Sequence, residues 1–203
     1  VPDGEPGDLY IRGPSAAIRA GALAFVMRSA GTDSHRNPHT GITRFDDGLT
    51  PIPSAALSVP DAEQLSRLVA LGQPVRLRIA LDCGWYGTAD SFNVIGEITG
   101  RDRKLRGEVV MIGGHLDSWD LGTGAVDDGA GVAITMGAGH LIGRLPRAKR
   151  PPRTIRVIAF ANEEQGLYGA KAYAAQYKAN VAKHQVVAES DFDAGRIYAF
   201  NSN

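Results

Sequence analysis

Two short motifs near the middle of the chain carry side chains that can hold a metal ion. The first, at residues 113–117, reads Gly-Gly-His-Leu-Asp and follows an apolar run at residues 109–112. In an extended chain His115 and Asp117 point to the same side, so the Asp117 carboxylate can accept a hydrogen bond from the imidazole nitrogen that faces away from a metal. For this motif alone, a histidine satisfied by a local turn is the commoner explanation.

The second motif, at residues 124–131, reads Gly-Ala-Val-Asp-Asp-Gly-Ala-Gly. Its small residues allow a loop and the start of a helix to approach neighbouring backbone closely. The carboxylates of Asp127 and Asp128 could either cap that helix or coordinate a cation. One carboxylate is enough for a cap, so the pair favours a second role beside capping.

Two further strand ends are acidic. An apolar run ends in Glu163 and Glu164, and because neighbouring side chains on extended backbone diverge, one can bind metal while the other serves as general base. An acidic helix start is the alternative explanation for this pair. Another apolar run ends at Asp191, where a surface turn is an equally good interpretation.

The four strand ends together offer one imidazole and several carboxylates, a ligand set that suits zinc. The carboxylates are numerous enough for two ions that share a bridging aspartate. The combination is therefore a more specific indication of a metal centre than any of its parts.

These motifs resemble those of the co-catalytic zinc aminopeptidases and glutamate carboxypeptidases. The similarity rests on residues 113–120, 124–131, 162–166 and 189–191. It continues upstream through residues 38–42, 52–55 and 90–94, and so spans nearly the whole chain. The resemblance implies a zinc-dependent exopeptidase that hydrolyses dipeptides or short peptides.

The resemblance also assigns metal ligands to this chain. His115, Asp127 and Asp191 would hold one zinc ion. Asp127 would bridge to a second zinc ion, which Glu164 would also hold. The peptide bond that follows the bridging aspartate is often cis in this family, so a cis Asp127–Asp128 bond is expected.

Two residues receive catalytic roles from the same resemblance. Glu163 would be the general base, and Asp117 would orient His115. The mechanism implied is attack on the peptide carbonyl by a hydroxide that bridges the two zinc ions.

The second zinc site departs from the family pattern, because the family supplies one more histidine from a later strand. The remaining histidines of this part, His140 and His184, match no motif position. We therefore expect the chain to be a fragment of a longer protein that by itself holds one zinc ion or none. Two alternatives stay open: a non-catalytic fragment with an incomplete metal site, and a related zinc glutaminyl cyclase that uses one metal.

The elements that must position these residues alternate between strand and helix. Strands are predicted at residues 91–98, 108–112, 154–161 and 185–189, with the first two adjacent, and helices at residues 129–145 and 167–178. This order favours an α/β fold with a mixed, mainly parallel sheet flanked by helices, as in zinc exopeptidases, whose ligand sites lie at the carboxyl ends of the strands. We assign residues 89–203 to the N-terminal part of this catalytic domain.

Residues 1–88 are predicted to form a small α+β unit. It contains a strand at residues 23–27, a polar loop to about residue 53, a strand at 55–59, a helix at 61–71 and an alternating strand at 75–79. The resemblance implies part of a protease-associated insert. His35 and His39 lie in its loop and are better explained as structural or solvated than as ligands.

Composition limits the partners. The 203 residues include 22 basic and 22 acidic side chains, so no overall field favours nucleic acid or an anionic membrane. No apolar run approaches the roughly 20 residues that span a bilayer. A peptide substrate is the expected partner, a homodimer is left open, and relatives in the family suggest a secreted or periplasmic location.

Overall fold

The computed structural model describes residues 6–30, 34–84, 86–191 and 195–196. The chain divides into two compact units, Val1–Gly87 and Thr88–Asn203. This division falls one residue from the boundary expected from the sequence.

The first unit pairs two short parallel strands with two helices. In chain order these are α1 (Pro6–Arg19), β1 (Phe25–Arg28), β2 (Ser54–Leu57) and α2 (Val59–Ala70). Helix α2 begins after Ser58, whose hydroxyl oxygen accepts a hydrogen bond from the Asp61 backbone N–H. A proline in the first turn adds to this start signal, which explains why the helix lies close to its predicted position.

Two predictions for the first unit were wrong in detail. Residues 75–79 form no strand with any described part of the chain. The first strand begins at Phe25 rather than residue 23, and Leu23 is 89% exposed. An alternating pattern shows only which side chains could share a face, whereas a strand also needs a neighbouring backbone to bond with.

The second unit is built on a four-stranded sheet. In chain order its elements are β3 (Val94–Ile98), β4 (Val109–His115), α3 (Gly129–Gly143), β5 (Thr154–Phe160), α4 (Tyr168–Gln176) and β6 (His184–Glu189). Across the sheet the strands lie in the order β3, β5, β4, β6. Strand β4 runs parallel to β5 and β6, and β3 runs antiparallel to β5. The predicted mixed, mainly parallel sheet is confirmed.

The predicted adjacency of the first two strands of this unit was wrong, because β5 lies between β3 and β4. Six of the seven residues of β5 are buried. A strand covered on both faces occupies the interior of a sheet. Strand β5, rather than β3, is therefore the neighbour of β4 on this side.

Helices cover both faces of the sheet. On one face Tyr173 of α4 packs with Val109, Met111, Ile158 and Phe160 in the buried core. On the other face α3 approaches β5 so closely that a Cβ atom at Gly139 would lie 2.6 Å from Cγ2 of Val157. The predicted flanking by helices is therefore confirmed.

Strand β6 lies at one edge of this sheet. It pairs with β4, and its Val186 and Val187 side chains are 53% and 57% exposed. Among the described residues, no helix has the length and apolarity needed to cross a membrane.

Candidate metal centre

The last residue of β4 is His115, which is only 2% exposed. The preceding Gly114 allows the start of α3 to lie directly against the strand. A Cβ atom at this position would lie 2.4 Å from Oδ2 of Asp128 and 2.9 Å from the backbone nitrogen of Val132. The glycine thus brings the two metal-binding motifs together.

Asp128 joins these motifs through hydrogen bonds to both of its carboxylate oxygens. Its Oδ1 accepts from the Gly131 N–H at 3.1 Å as the N-cap of α3, and its Oδ2 accepts from the His115 N–H at 2.9 Å. Burial raises the pKa of Asp128, against the opposing effect of the hydrogen bond from His115. Of the two roles left open by the sequence, Asp128 takes the cap and Asp127 is left to face the histidine.

The Asp127–Asp128 peptide bond is cis, as the family resemblance predicted, and so is the Asp120–Leu121 bond. The ligand set inferred from the sequence did not include Asp128. The signal that could have singled it out is an aspartate directly before a helix, with a glycine N–H three residues later as its partner.

Three of the predicted ligands converge at one point. The imidazole Nε2 of His115 lies 3.1 Å from Oδ1 of Asp127 and 3.4 Å from Oδ1 of Asp191. One ligand atom from each of the three residues lies within 4.8 Å of the others. Asp191 is held near this point because the preceding Ser190 N–H donates to the Gly113 carbonyl at 3.0 Å.

This arrangement fits a zinc ion. Ligand atoms about 2.0–2.1 Å from a tetrahedral zinc lie about 3.3 Å from each other, and the two distances from His115 Nε2 bracket that value. The other ring nitrogen, Nδ1, lies 2.9 Å from the Asp117 backbone carbonyl and can only donate to it. Unprotonated Nε2 therefore directs its lone pair at two carboxylates, a contact that requires a proton or a metal cation between them.

Asp117 contacts its neighbours differently from the prediction. Its backbone carbonyl, rather than its carboxylate, accepts the hydrogen bond from His115, and Oδ1 lies 3.7 Å from Nδ1. The carboxylate instead accepts from the backbone N–H groups of Glu163 at 2.8 Å and Glu164 at 3.1 Å. Strand β4 ends at His115, so the extended geometry assumed for the pair does not continue to Asp117.

Glu163 and Glu164 lie in the loop after β5, both half-buried. Burial raises the pKa of Glu163, and the Asp191, Asp117 and Asp127 carboxylates raise it further against the opposing His115. Burial also raises the pKa of Glu164, together with the Asp127 carboxylate and against a hydrogen bond from Trp119. Glu164 lies outside the three-residue ligand cluster found among the described residues.

The pKa of His115 is raised as well. Burial alone would lower it, but the Asp117 carbonyl and the Asp191 and Asp128 carboxylates outweigh burial. A proton at Nε2 and a zinc ion would therefore compete for the same position.

The remaining histidines do not join the cluster. His184 begins β6, at the opposite end of that strand from Asp191, and its Nε2 lies 2.7 Å from the Tyr173 hydroxyl. His140 lies in the last turn of α3, far along the helix from Asp128. His35 and His39 belong to the first unit.

Comparison with known proteins places this arrangement in a family. The sequence profile of peptidase family M28 matches residues 93–200, which is just over half of the chain. The chain belongs to peptidase family M28. All six of the candidate residues, His115, Asp117, Asp127, Glu163, Glu164 and Asp191, lie within the matched part, and zinc is the metal of M28 peptidases.

Individual M28-related proteins are similar over most of the chain. Human carboxypeptidase Q is 42% identical over 180 residues, covering 89% of this chain and 37% of its own length. Mouse carboxypeptidase Q is 40% identical over 181 residues, covering 89% and 38%. The solved structure of a peptidase M28 precursor from Shewanella amazonensis SB2B has 43% identity and a TM-score of 0.80, covering 95% of this chain and 42% of that one. The chain thus spans less than half the length of these relatives.

Proposed function

We propose that this chain forms the zinc-binding part of an exopeptidase that hydrolyses dipeptides or short peptides. The observation that carries the proposal is the convergence of His115 Nε2 with carboxylate oxygens of Asp127 and Asp191, at 3.1 and 3.4 Å. Membership in peptidase family M28 and the similarity to carboxypeptidase Q support it. The proposal concerns the whole protein, because the chain spans only 37% of that relative's length.

The roles of the surrounding residues follow from their environment. A zinc ion held by His115, Asp127 and Asp191 would supply Lewis-acid chemistry at the peptide carbonyl. Glu163 is proposed as the general base, since a carboxylate with a raised pKa is better matched to proton transfer near neutral pH. Asp117 holds the Glu163 backbone and the His115 ring in place at the same time.

A second zinc ion between Asp127 and Glu164 is part of the proposal. The Asp127 carboxylate raises the pKa of Glu164, so the two negative charges repel each other at neutral pH. A cation between them would remove this repulsion. Completion of this second site requires at least one ligand besides Asp127 and Glu164.

Four broader features are proposed on the family resemblance. Residues 1–88 would be part of a protease-associated insert, and residues 89–203 the N-terminal part of the catalytic domain. The whole protein would be secreted or periplasmic, and a homodimer would be compatible with its activity. Fractionation of cells that produce the whole protein tests the location, and light scattering tests the oligomeric state.

The proposed activity is tested on the full-length gene product with bound zinc quantified. A panel of dipeptides should be hydrolysed, and Glu163→Gln should lower turnover by about 10²–10⁴ while zinc content stays the same. Glu63→Gln, a matched change in the first unit, should leave turnover unchanged. If the protein neither binds zinc nor hydrolyses dipeptides, it is non-catalytic. If it cyclises N-terminal glutamine and does not hydrolyse dipeptides, it is a glutaminyl cyclase rather than a peptidase.

A further inference from the structure

The chain is electrically neutral as a whole, but its positive charge is concentrated at one edge of the sheet. Residues 100–108 and 144–153 together contain nine of the 22 basic side chains and only two of the 22 acidic ones. These two segments precede β4 and β5 respectively. They therefore lie at the amino ends of the parallel strands, about 20 Å from the metal-binding carboxyl ends. We call these two segments the basic edge.

Backbone hydrogen bonds hold the two segments of the basic edge side by side. The Arg101 N–H donates to the Pro151 carbonyl at 3.0 Å, and the Asp102 N–H donates to the Pro152 carbonyl at 3.3 Å. The Thr154 hydroxyl donates to the Arg106 carbonyl at 2.8 Å and accepts from the Gly100 N–H at 3.1 Å. The cations therefore project from one preformed surface.

The two acidic side chains within the basic edge do not neutralise it. The Asp102 carboxylate accepts hydrogen bonds from the backbone N–H groups of Lys104 and Leu105 in its own turn. Glu108 pairs with Arg153 at 2.5 Å. Arg150 donates to the carbonyls of Leu145 and Gly143.

Seven cations of the basic edge remain exposed. Four of them follow β3, namely Arg101, Arg103, Lys104 and Arg106. Three follow α3, namely Arg144, Arg147 and Lys149. Arg101 and Arg147 line a shallow, open depression between the two segments. A surface with cations on both sides of this depression suits a chain of negative charge.

We propose that the basic edge binds an acidic polysaccharide. Arginine dominates the exposed cations, and its planar guanidinium pairs bidentately with sulfate, phosphate and carboxylate groups. The sequence of residues 100–108 and 144–153 contains no aromatic side chain on which the bases of a single-stranded nucleic acid could stack. The cations come from two loops rather than from one helix that could enter a major groove or lie along a bilayer.

The acidic metal centre lies farther from the basic edge than the screening length of about 8 Å at physiological salt. A linear polysaccharide on the basic edge would therefore meet mainly the local cations.

Heparin serves as the probe polymer, with duplex DNA and phosphatidylserine vesicles as competitors. The variant Arg103→Ser/Lys104→Ser/Arg147→Ser/Lys149→Ser removes four exposed cations from the basic edge. The matched control Arg44→Ser/Arg67→Ser/Arg76→Ser/Arg78→Ser removes four exposed cations from the first unit. Zinc content and circular dichroism verify that each variant is folded.

The full-length parent protein should bind heparin in 0.15 M salt, and the full-length basic-edge variant should bind roughly tenfold more weakly, while the control keeps the parent affinity. If the quadruple variant does not fold, the double variant Arg103→Ser/Lys104→Ser should show a smaller loss of heparin affinity. Absence of heparin binding, an equal loss in the control, or tighter binding to DNA or vesicles than to heparin would each overturn the proposal.

Discussion

The Asp117 carboxylate accepts a hydrogen bond from the Glu163 backbone N–H at 2.8 Å, although the two residues come from the ends of different strands. The Asp117 carbonyl at the same time accepts from the His115 ring. One residue therefore fixes the position of a metal ligand and of the proposed general base relative to each other.

Replacement of this carboxylate should disturb the backbone of Glu163 and Glu164, while the Asp117 carbonyl keeps its hydrogen bond from His115. Asp117→Ala removes the acceptor of two backbone N–H groups, so we expect zinc affinity or turnover to fall by about 10–100-fold. Asp102→Ala is a matched control, because Asp102 also accepts two hydrogen bonds from backbone N–H groups. Asp102 lies in a turn at the amino ends of the parallel strands, away from the metal centre. Zinc affinity, measured by competition with a chelator, and dipeptide turnover measure the effect. Equal losses in the two variants would show that Asp117 has no special role in the metal centre.

The proposed general base gives a different signature. Glu163→Gln preserves the shape of the side chain and the backbone hydrogen bond to Asp117, so fold and zinc content should stay unchanged. Turnover should fall by about 10²–10⁴, the usual contribution of a general base. Steady-state kinetics with zinc analysis checks this, and turnover within a fewfold of the parent value would exclude Glu163 from proton transfer.

Replacement of Asp128 should lower the stability of the second unit, because Asp128 caps α3 and is not one of the proposed zinc ligands. Its two carboxylate oxygens satisfy the His115 and Gly131 N–H groups in a buried position, so Asp128→Ala should destabilise the second unit by about 1–3 kcal/mol. Ser58→Ala removes the cap of α2 in the first unit and should cost about 0.5–2 kcal/mol. Denaturant unfolding of the metal-free protein measures both, and an unchanged midpoint for Asp128→Ala would contradict the hydrogen bonds described for it.

Zinc binding should depend on pH with a definite sign. The pKa values of His115, Glu163 and Glu164 are all raised, so these groups hold protons at a higher pH than usual in the metal-free protein. Zinc must displace any proton from a ligand, and its affinity should therefore fall as the pH decreases from about 7 to 5, about tenfold per pH unit for each proton displaced. Calorimetry in buffers with different ionisation enthalpies counts the released protons. An affinity independent of pH would show that no proton competes with zinc.

Much of the metal centre could be predicted from the ends of strands. Parallel strands place their carboxyl ends at one edge of a sheet, and this relation brings together His115 after β4 and Asp191 after β6, whereas Asp127 comes from the start of α3. It could not show which atom of Asp117 faces the ring, because that depends on where β4 stops. The cap formed by Asp128 required knowledge of how closely Gly114 approaches α3.

Strand order was harder to predict than strand position. Consecutive strands are neighbours in roughly two-thirds of cases, which made β3 and β4 the natural pair. The burial of β5 on both faces, which places it between them, depends on helices that pack from each side. In the first unit, residues 75–79 alternate as a strand would, but a side-chain pattern does not specify a pairing partner.

The central claim is that His115, Asp127 and Asp191 form a zinc site. Crystals of the zinc-loaded protein, measured on both sides of the zinc absorption edge, test it most directly. The expected result is an anomalous peak about 2.0–2.2 Å from His115 Nε2 and from one carboxylate oxygen each of Asp127 and Asp191. A zinc peak bound elsewhere, with none of these three residues within coordinating distance, would contradict it.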